Sequence, residues 1–207
     1  MRVIYCDMSN IGVDIDGVLM DVETFVIENG ARFGAKFGMG AVVDPNGYTM
    51  ADLFGWTKDK DLEFWHEHIW KYVSVPPMKD CKKYLQKLHD EGNKIIIITN
   101  RWLSGLENAD GEKMRKTVKD WFKKHAIPHD AIVFAKGDKP KFVKQYKIDL
   151  MIEDGADEIA VISPIVPVIV FDAPYNHAVT GKNIFRAKTW REIYDLTNAQ
   201  KRCTIQS

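Results

Sequence analysis

The sequence predicts an α/β protein built on a doubly wound, mostly parallel sheet, with a small helical cap inserted after the first core strand. Three observations carry that expectation. Runs of consecutive Val and Ile recur along the chain, and unbroken apolar runs suit strands that are covered on both faces. Segments with helical apolar spacing separate the later runs, which implies right-handed βαβ units. About eighty residues lie between the first two runs, far more than a crossover helix needs. The core this describes is Rossmann-like.

In chain order, the first strand is expected at residues 11–14, Ile-Gly-Val-Asp, and the second at 94–99, with four consecutive isoleucines. Strands at 131–135, 150–152 and 168–171 follow. A helix over 79–91 places Cys81, Tyr84, Leu85 and Leu88 on one face and stops at Gly92, a residue suited to a left-handed cap. Residues 112–125 repeat the pattern with Met114, Val118, Trp121 and Phe122, and shorter helices are expected from 156 to about 161 and across 189–196.

The long interval must build something of its own. Val22, Phe25, Val26, Phe33 and Phe37 suggest one helix, and Leu62, Trp65, Ile69, Tyr72 and Val73 another. Pro45-Asn46-Gly47 marks a turn between them, and Pro76-Pro77 returns the chain to the core. The expected organisation is therefore a core of residues 1–20 and 76–207 and a helical cap of residues 21–75. Residues 1–10 precede the first strand as a loose extension or an added edge strand. The sequence shows neither internal repeats nor low-complexity segments.

Composition narrows the function classes. Of 207 residues 45% are hydrophobic and 28% charged, as in ordinary globular proteins. Twenty-nine basic residues balance 29 acidic ones, so no net field steers the protein to polymeric nucleic acid or to an anionic membrane. The longest apolar stretch, 159–171, is broken by Ser163, Pro164 and Pro167 and falls short of the ~18 residues of a membrane span. The first residues lack an apolar segment followed by a cleavage site, so secretion is not expected. Cys6, Cys81 and Cys203 form neither a metal or redox pair nor a disulfide framework, which favours a reducing compartment such as the cytoplasm. Oligomeric state is not legible.

Ligands of an open α/β sheet bind beyond the carboxyl ends of its strands. The first expected strand runs into Asp14-Ile15-Asp16-Gly17-Val18-Leu19, and the second into Thr99-Asn100-Arg101. Asp138-Lys139-Pro140-Lys141 precedes the fourth, which runs out into Glu153-Asp154-Gly155. Each feature alone has an ordinary explanation. Asp and Gly form turns, Thr and acidic residues cap helices, and lysines are usually solvated. The first is not a calcium loop of the EF-hand type, because Val18 occupies its fifth position. Their joint occurrence, in order and at strand ends, points instead to a single site. Crowded carboxylates raise one another's pKa unless a cation neutralises them, and hard oxygen donors suit Mg²⁺.

These four stretches resemble, in order, the four motifs of the haloacid dehalogenase superfamily of phosphatases. Within it the chain is most similar to the 5'(3')-deoxyribonucleotidase-type family, whose bacterial members also resemble it in Phe171-Asp172-Ala173-Pro174-Tyr175-Asn176 and in Trp190. The resemblance implies a Mg²⁺-dependent phosphomonoesterase acting on a nucleoside monophosphate. It makes Asp14 the nucleophile, Asp16 the general acid and base, Thr99 and the backbone N–H of Asn100 the phosphate binders, and Lys139 the neutralising cation, with Lys141 a weaker candidate. The metal would be held by Asp14, the backbone carbonyl of Asp16 and Asp154, with Glu153 holding a metal-bound water.

Cap aromatics, Phe25 and Trp65 among them, would stack on a base or form the cap's own core. The chain departs from the family pattern in having Val22 after Asp21, and Asn100-Arg101 after Thr99. Arg101 would hold a second anionic group of the substrate or make a surface ion pair. The alternatives are the same chemistry on a sugar phosphate or other small metabolite, phosphoryl transfer to another acceptor, a receiver-like phospho-acceptor module and a non-catalytic binding protein. Receivers, however, lack an insertion of this length.

Overall fold

The structure, a computed structural model, describes residues 9–72 and 75–204. The expectations for residues 1–8 and for Val73 therefore lie outside the described residues. Strands β1 (Asn10–Val13), β2 (Lys94–Thr99), β3 (Ala131–Phe134), β4 (Leu150–Glu153), β5 (Val168–Phe171) and β6 (Ile184–Ala187) form one sheet. Its order is β3-β2-β1-β4-β5-β6 and every pairing is parallel. The chain winds outward from β1 to β3, then returns to the other side of β1 to add β4, β5 and β6. The carboxyl ends of β1 and β4 thus flank the switch point where such sheets open a crevice.

The isoleucine run shows why the strands read as continuous apolar segments. Ile95 and Ile97 face one core layer while Ile96 and Ile98 face the other. The first layer is covered by α4 (Cys81–Asp90), α5 (Ala109–His125) and α8 (Trp190–Thr204), the second by α6 (Lys139–Gln145) and α7 (Ala156–Ile162). Gly12 admits close packing on the second face, where a Cβ would stand 2.6 Å from Met151 Sδ.

Between β1 and β2 the chain forms α1 (Val22–Ala35), α2 (Met50–Phe54) and α3 (Lys58–Tyr72). These share a cluster of Val26, Phe33, Met50, Leu53, Phe54, Trp56 and Phe64. Where this insertion leaves and rejoins the core, the Asp21 N–H donates to Pro76 O at 3.3 Å and the Met78 N–H to Leu19 O at 2.7 Å. Two buried indoles hold the same region, Trp190 donating to Val18 O at 3.1 Å and Trp121 to Val75 O at 2.8 Å.

Four local features differ from expectation. β6 is a short edge strand, Ile-Phe-Arg-Ala, whose arginine masks the apolar pattern. α6 covers the Asp138–Lys141 stretch: Asp138 is its N-cap, accepting from the Lys141 N–H at 3.1 Å, and Pro140 sits in its first turn where no backbone donor is lost. α2 is set by a capping box between Thr49 and Asp52, a signal independent of apolar periodicity. In α3 the buried stripe runs through Phe64, Trp65, His68 and Ile69, leaving Leu62 exposed because the core lies one residue further round the helix. Among the described residues no helix is long and apolar enough to cross a membrane.

Candidate active site

The first turn of the site is made by residues that have to leave β1 quickly. Asp14, at the strand's end, donates its backbone N–H to Ile152 O at 3.0 Å and so remains tied to β4. Its Oδ2 accepts the Asp16 N–H at 3.0 Å, which folds the chain back over its carboxylate. Gly17 follows at φ +75°, where a Cβ would stand 2.1 Å from Asp154 Oδ2 and 2.9 Å from the Tyr175 hydroxyl. A side chain at 17 would therefore occupy the space in which Asp154 and Tyr175 meet.

Lys139 opens α6 and, at 2% exposure, drives its ammonium under this turn. It donates to Asp14 Oδ1 at 2.7 Å and to Glu153 Oε2 at 2.6 Å. Asp14, Glu153 and Asp154 are all buried, and each offers an oxygen within 4.8 Å of the others. Burial is the main cause that pushes the Asp14 carboxyl up to about 7; Lys139 pulls it down, and Glu153 and Asp16 add to the rise. Asp154 is raised well above the carboxylate range by burial and then by Glu153 and Asp14. Burial opposes the charge on Lys139, but Asp14 and Glu153 more than offset it and hold its pKa above the ordinary lysine value. Three carboxylates and one ammonium leave a formal excess of two negative charges, which one divalent cation would neutralise. The all-oxygen donor set suits Mg²⁺.

Thr99, buried at the end of β2, accepts the Arg101 N–H at 3.1 Å on its hydroxyl. Asn100 donates from Nδ2 to Glu158 Oε1 at 2.5 Å and accepts the Gly137 N–H at 2.8 Å, joining the end of β2 to α7 and to the loop before α6. Thr99, Asn100, Arg101, Asp14, Asp16, Lys139, Glu153 and Asp154 all line one cavity of about 500 Å³. Trp65 lines it too, together with Tyr48, Thr49, Met50 and Leu53 from the insertion.

Two expectations need correction. Arg101 is not a surface residue: it is buried and its guanidinium grips the Asp16 carboxylate, through Nε at 3.2 Å and through Nη2. The pair forms because the short loop after β2 lies against the turn after β1, and Arg101 also lines the cavity. Phe25 does not line the cavity; half-buried, it packs between the insertion's cluster and the core layer beneath it. Glu153 is engaged on both oxygens. Its Oε1 accepts the N–H groups of Asp154 at 3.0 Å and Gly155 at 3.1 Å, while Oε2 is taken by Lys139. Lys141 is exposed on α6, its ammonium over the Phe142 ring.

The sequence assigned no role to Tyr175, Asn176 or Arg186, and placed Tyr48 only among the cap aromatics. Tyr175 donates its hydroxyl to Asp154 Oδ2, and Asn176 Nδ2 donates to Asp154 O at 2.9 Å. Arg186 in turn donates to Asn176 Oδ1 at 2.7 Å and to Asn176 O at 2.9 Å. Only the Phe171–Asn176 likeness pointed to this region.

Comparison with known proteins agrees with the geometry. The family model described as "5' nucleotidase, deoxy (Pyrimidine), cytosolic type C protein" matches residues 8–202. "Putative nucleotidase YqfW" of Bacillus subtilis (strain 168) is 28% identical over 207 residues, covering 96% of this chain and 98% of that protein. "Putative 5'(3')-deoxyribonucleotidase" of Chlorobaculum tepidum is 26% identical over 202 residues, covering 91% and 90%. Among solved structures, a haloacid dehalogenase-like family hydrolase from Xanthomonas campestris superposes with a TM-score of 0.60 at 11% identity, over 97% of this chain and 99% of that one.

Proposed function

Because the chain belongs to the cytosolic type C family of 5' deoxynucleotidases, hydrolases of phosphoric monoesters, we propose that it is a Mg²⁺-dependent cytoplasmic enzyme that removes the phosphate of a deoxyribonucleoside monophosphate through an aspartyl-phosphate on Asp14. The observation that carries the reading is the buried trio of Asp14, Glu153 and Asp154 around Lys139, open to a cavity large enough for a nucleotide.

In this reading a carboxylate oxygen of Asp14 attacks phosphorus, the P–O bond to the leaving alcohol breaks, and Asp16 gives that alcohol a proton. Asp16 then takes a proton from the water that cleaves the acyl phosphate. For either transfer its pairing with Arg101 must loosen as substrate enters, and until then the guanidinium holds the carboxylate over the site. The Thr99 hydroxyl and the Asn100 N–H hold the phosphoryl oxygens, and Lys139 balances charge developing on them. Asp14, Asp154 and the backbone carbonyl of Asp16 would hold Mg²⁺, which when bound supplies the positive charge that lets two anions approach. Glu153, its oxygens occupied by Lys139 and by two N–H groups, anchors the lysine.

Residues 21–75 act as the cap that selects substrate. Most of their aromatic rings fill the cap's own core, leaving Trp65 and Tyr48 as the rings that face the cavity and the base. A sugar phosphate is the second reading, because Glu23 and Glu158 also line the cavity and would accept hydrogen bonds from sugar hydroxyls.

The test is turnover of a generic aryl phosphate followed by a substrate panel. Activity should require Mg²⁺ and vanish in Asp14→Asn; undiminished activity in that variant or in excess EDTA would overturn the assignment. Nucleoside monophosphates should exceed sugar phosphates in kcat/KM, and a tenfold preference for sugar phosphates would move the substrate to the second reading.

A further inference from the structure

The loop from β5 to β6 holds Asp154 at both ends of the residue. The 3₁₀ turn Pro174–Asn176 brings Tyr175 to its carboxylate and Asn176 to its carbonyl. Asn176 is itself immobilised: its Nδ2 also donates to Phe171 O at 2.9 Å, and its Oδ1 accepts from the Ala173 N–H at 3.2 Å and from Arg186. Arg186 is fixed in turn by Asp172 Oδ1 at 2.7 Å and Val179 O at 3.0 Å. A chain of hydrogen bonds thus runs from the edge strand β6 to the backbone carbonyl of Asp154, just past the end of β4.

Two further features bear on this contact. Gly17 leaves open the space in which the Asp154 carboxylate and the Tyr175 hydroxyl meet. The ring of Tyr48, from the insertion, meets the ring of Tyr175 edge-on, with centroids 5.2 Å apart, and both residues line the cavity.

We propose that Tyr175 is a positioning residue, which sets the affinity of the acidic cluster for Mg²⁺ by fixing the rotation of the Asp154 carboxylate. The inference rests on the magnesium reading of the cluster. One Asp154 oxygen is engaged by the phenol, a contact that favours one rotation of the carboxylate. Partners of this kind, which orient a ligand without touching the ion, are typically worth ~10–100-fold in metal affinity. The effect belongs to Tyr175 and not to the loop as a whole, because Asn176 grips only the backbone of Asp154.

The test is calorimetric titration of the metal-free full-length protein with MgCl₂, for wild type, Tyr175→Phe and a remote control, Tyr194→Phe. Tyr194, on α8, bonds Glu91 at the C-terminal end of α4. Tyr175→Phe should weaken Mg²⁺ binding ~10–100-fold and the control should stay within twofold. In turnover assays Tyr175→Phe should need correspondingly more Mg²⁺ yet recover most of its kcat at saturation, a rescue that damaged folding would not allow. Circular dichroism melts in EDTA check that the variant is folded; if it is not, Tyr175→Trp, which keeps a ring with a donor group, must retain tighter Mg²⁺ binding than Tyr175→Leu. Equal affinities for wild type and Tyr175→Phe overturn this inference alone. Absence of Mg²⁺ binding by the wild type overturns it together with the metal reading on which it rests.

Discussion

Replacing Lys139 by Met keeps most of the aliphatic stem and removes the one ammonium that stands among three buried carboxylates. In the metal-free protein Asp14 and Glu153 then lose donors at 2.7 and 2.6 Å, at a position only 2% exposed. Breaking a buried pair by deleting one partner costs about 3–5 kcal/mol, because the other charge stays buried. For a chain of this size each kcal/mol moves Tm by about 2–4 °C, so a fall of roughly 6–20 °C is expected in EDTA at pH 8.

The deficit should shrink at pH 5. Carboxylates whose folded pKa lies above the unfolded value contribute stability that is complete below the unfolded pKa and is lost as pH rises through the folded one. Removing Lys139 takes away an attraction that lowers the Asp14 pKa, so more protons are held at pH 5 and the repulsion is relieved. Excess Mg²⁺ should return part of the loss at pH 8, about 2.7 kcal/mol when its concentration is 100 times Kd. Melts followed by circular dichroism measure all three conditions. A Tm within 2 °C of wild type in EDTA at pH 8 would refute the charge balance argued for this cluster.

Other expectations follow from the same geometry. In Gly17→Ala a Cβ would sit 2.1 Å from Asp154 Oδ2, so kcat/KM should fall on the order of 10²-fold, the scale of a misplaced catalytic group, and full activity would contradict the packing. For the wild type without metal, Asp14 stands at about 7 against 3.8 when unfolded. Its contribution to stability therefore declines as pH rises from about 4 to about 7. Mg²⁺ should accordingly raise Tm more at pH 8 than at pH 5.5, as differential scanning calorimetry would read. Phe25→Ala should lower stability by about 1–3 kcal/mol in urea titrations and leave KM within threefold, since Phe25 packs between two clusters. Trp65→Ala, facing the cavity, should raise KM for the nucleotide by tenfold or more, consistent with about 1–3 kcal/mol for stacking on a base.

What could be read in the sequence was whatever local pattern dictates. The isoleucine run suggested a doubly covered strand, and β2 spans the expected residues, Lys94–Thr99. Asp14, Thr99, Lys139 and Asp154 were legible because an α/β sheet sends its strand ends to one edge, so residues far apart in sequence could be grouped before any coordinates. β6 was not legible, since a four-residue edge strand containing arginine has too little periodicity to stand out. Nor was α6, whose seven residues depend on an N-cap and a first-turn proline more than on an apolar stripe.

The sequence by itself determined the winding of the sheet, the long insertion and the types of residue at the strand ends, because periodicity and turn chemistry act over a few neighbouring residues. Only the tertiary structure decided which carboxylate each cation meets. Arg101 turned out to grip Asp16, Glu153 to hold Lys139, and Tyr175 to reach Asp154 across 21 positions of chain. Such pairings are set by the register of β1 against β4 and by the depth of a buried lysine. No local pattern encodes them, because charge interactions depend on distance through space and on burial, and both come into being only when the layers close.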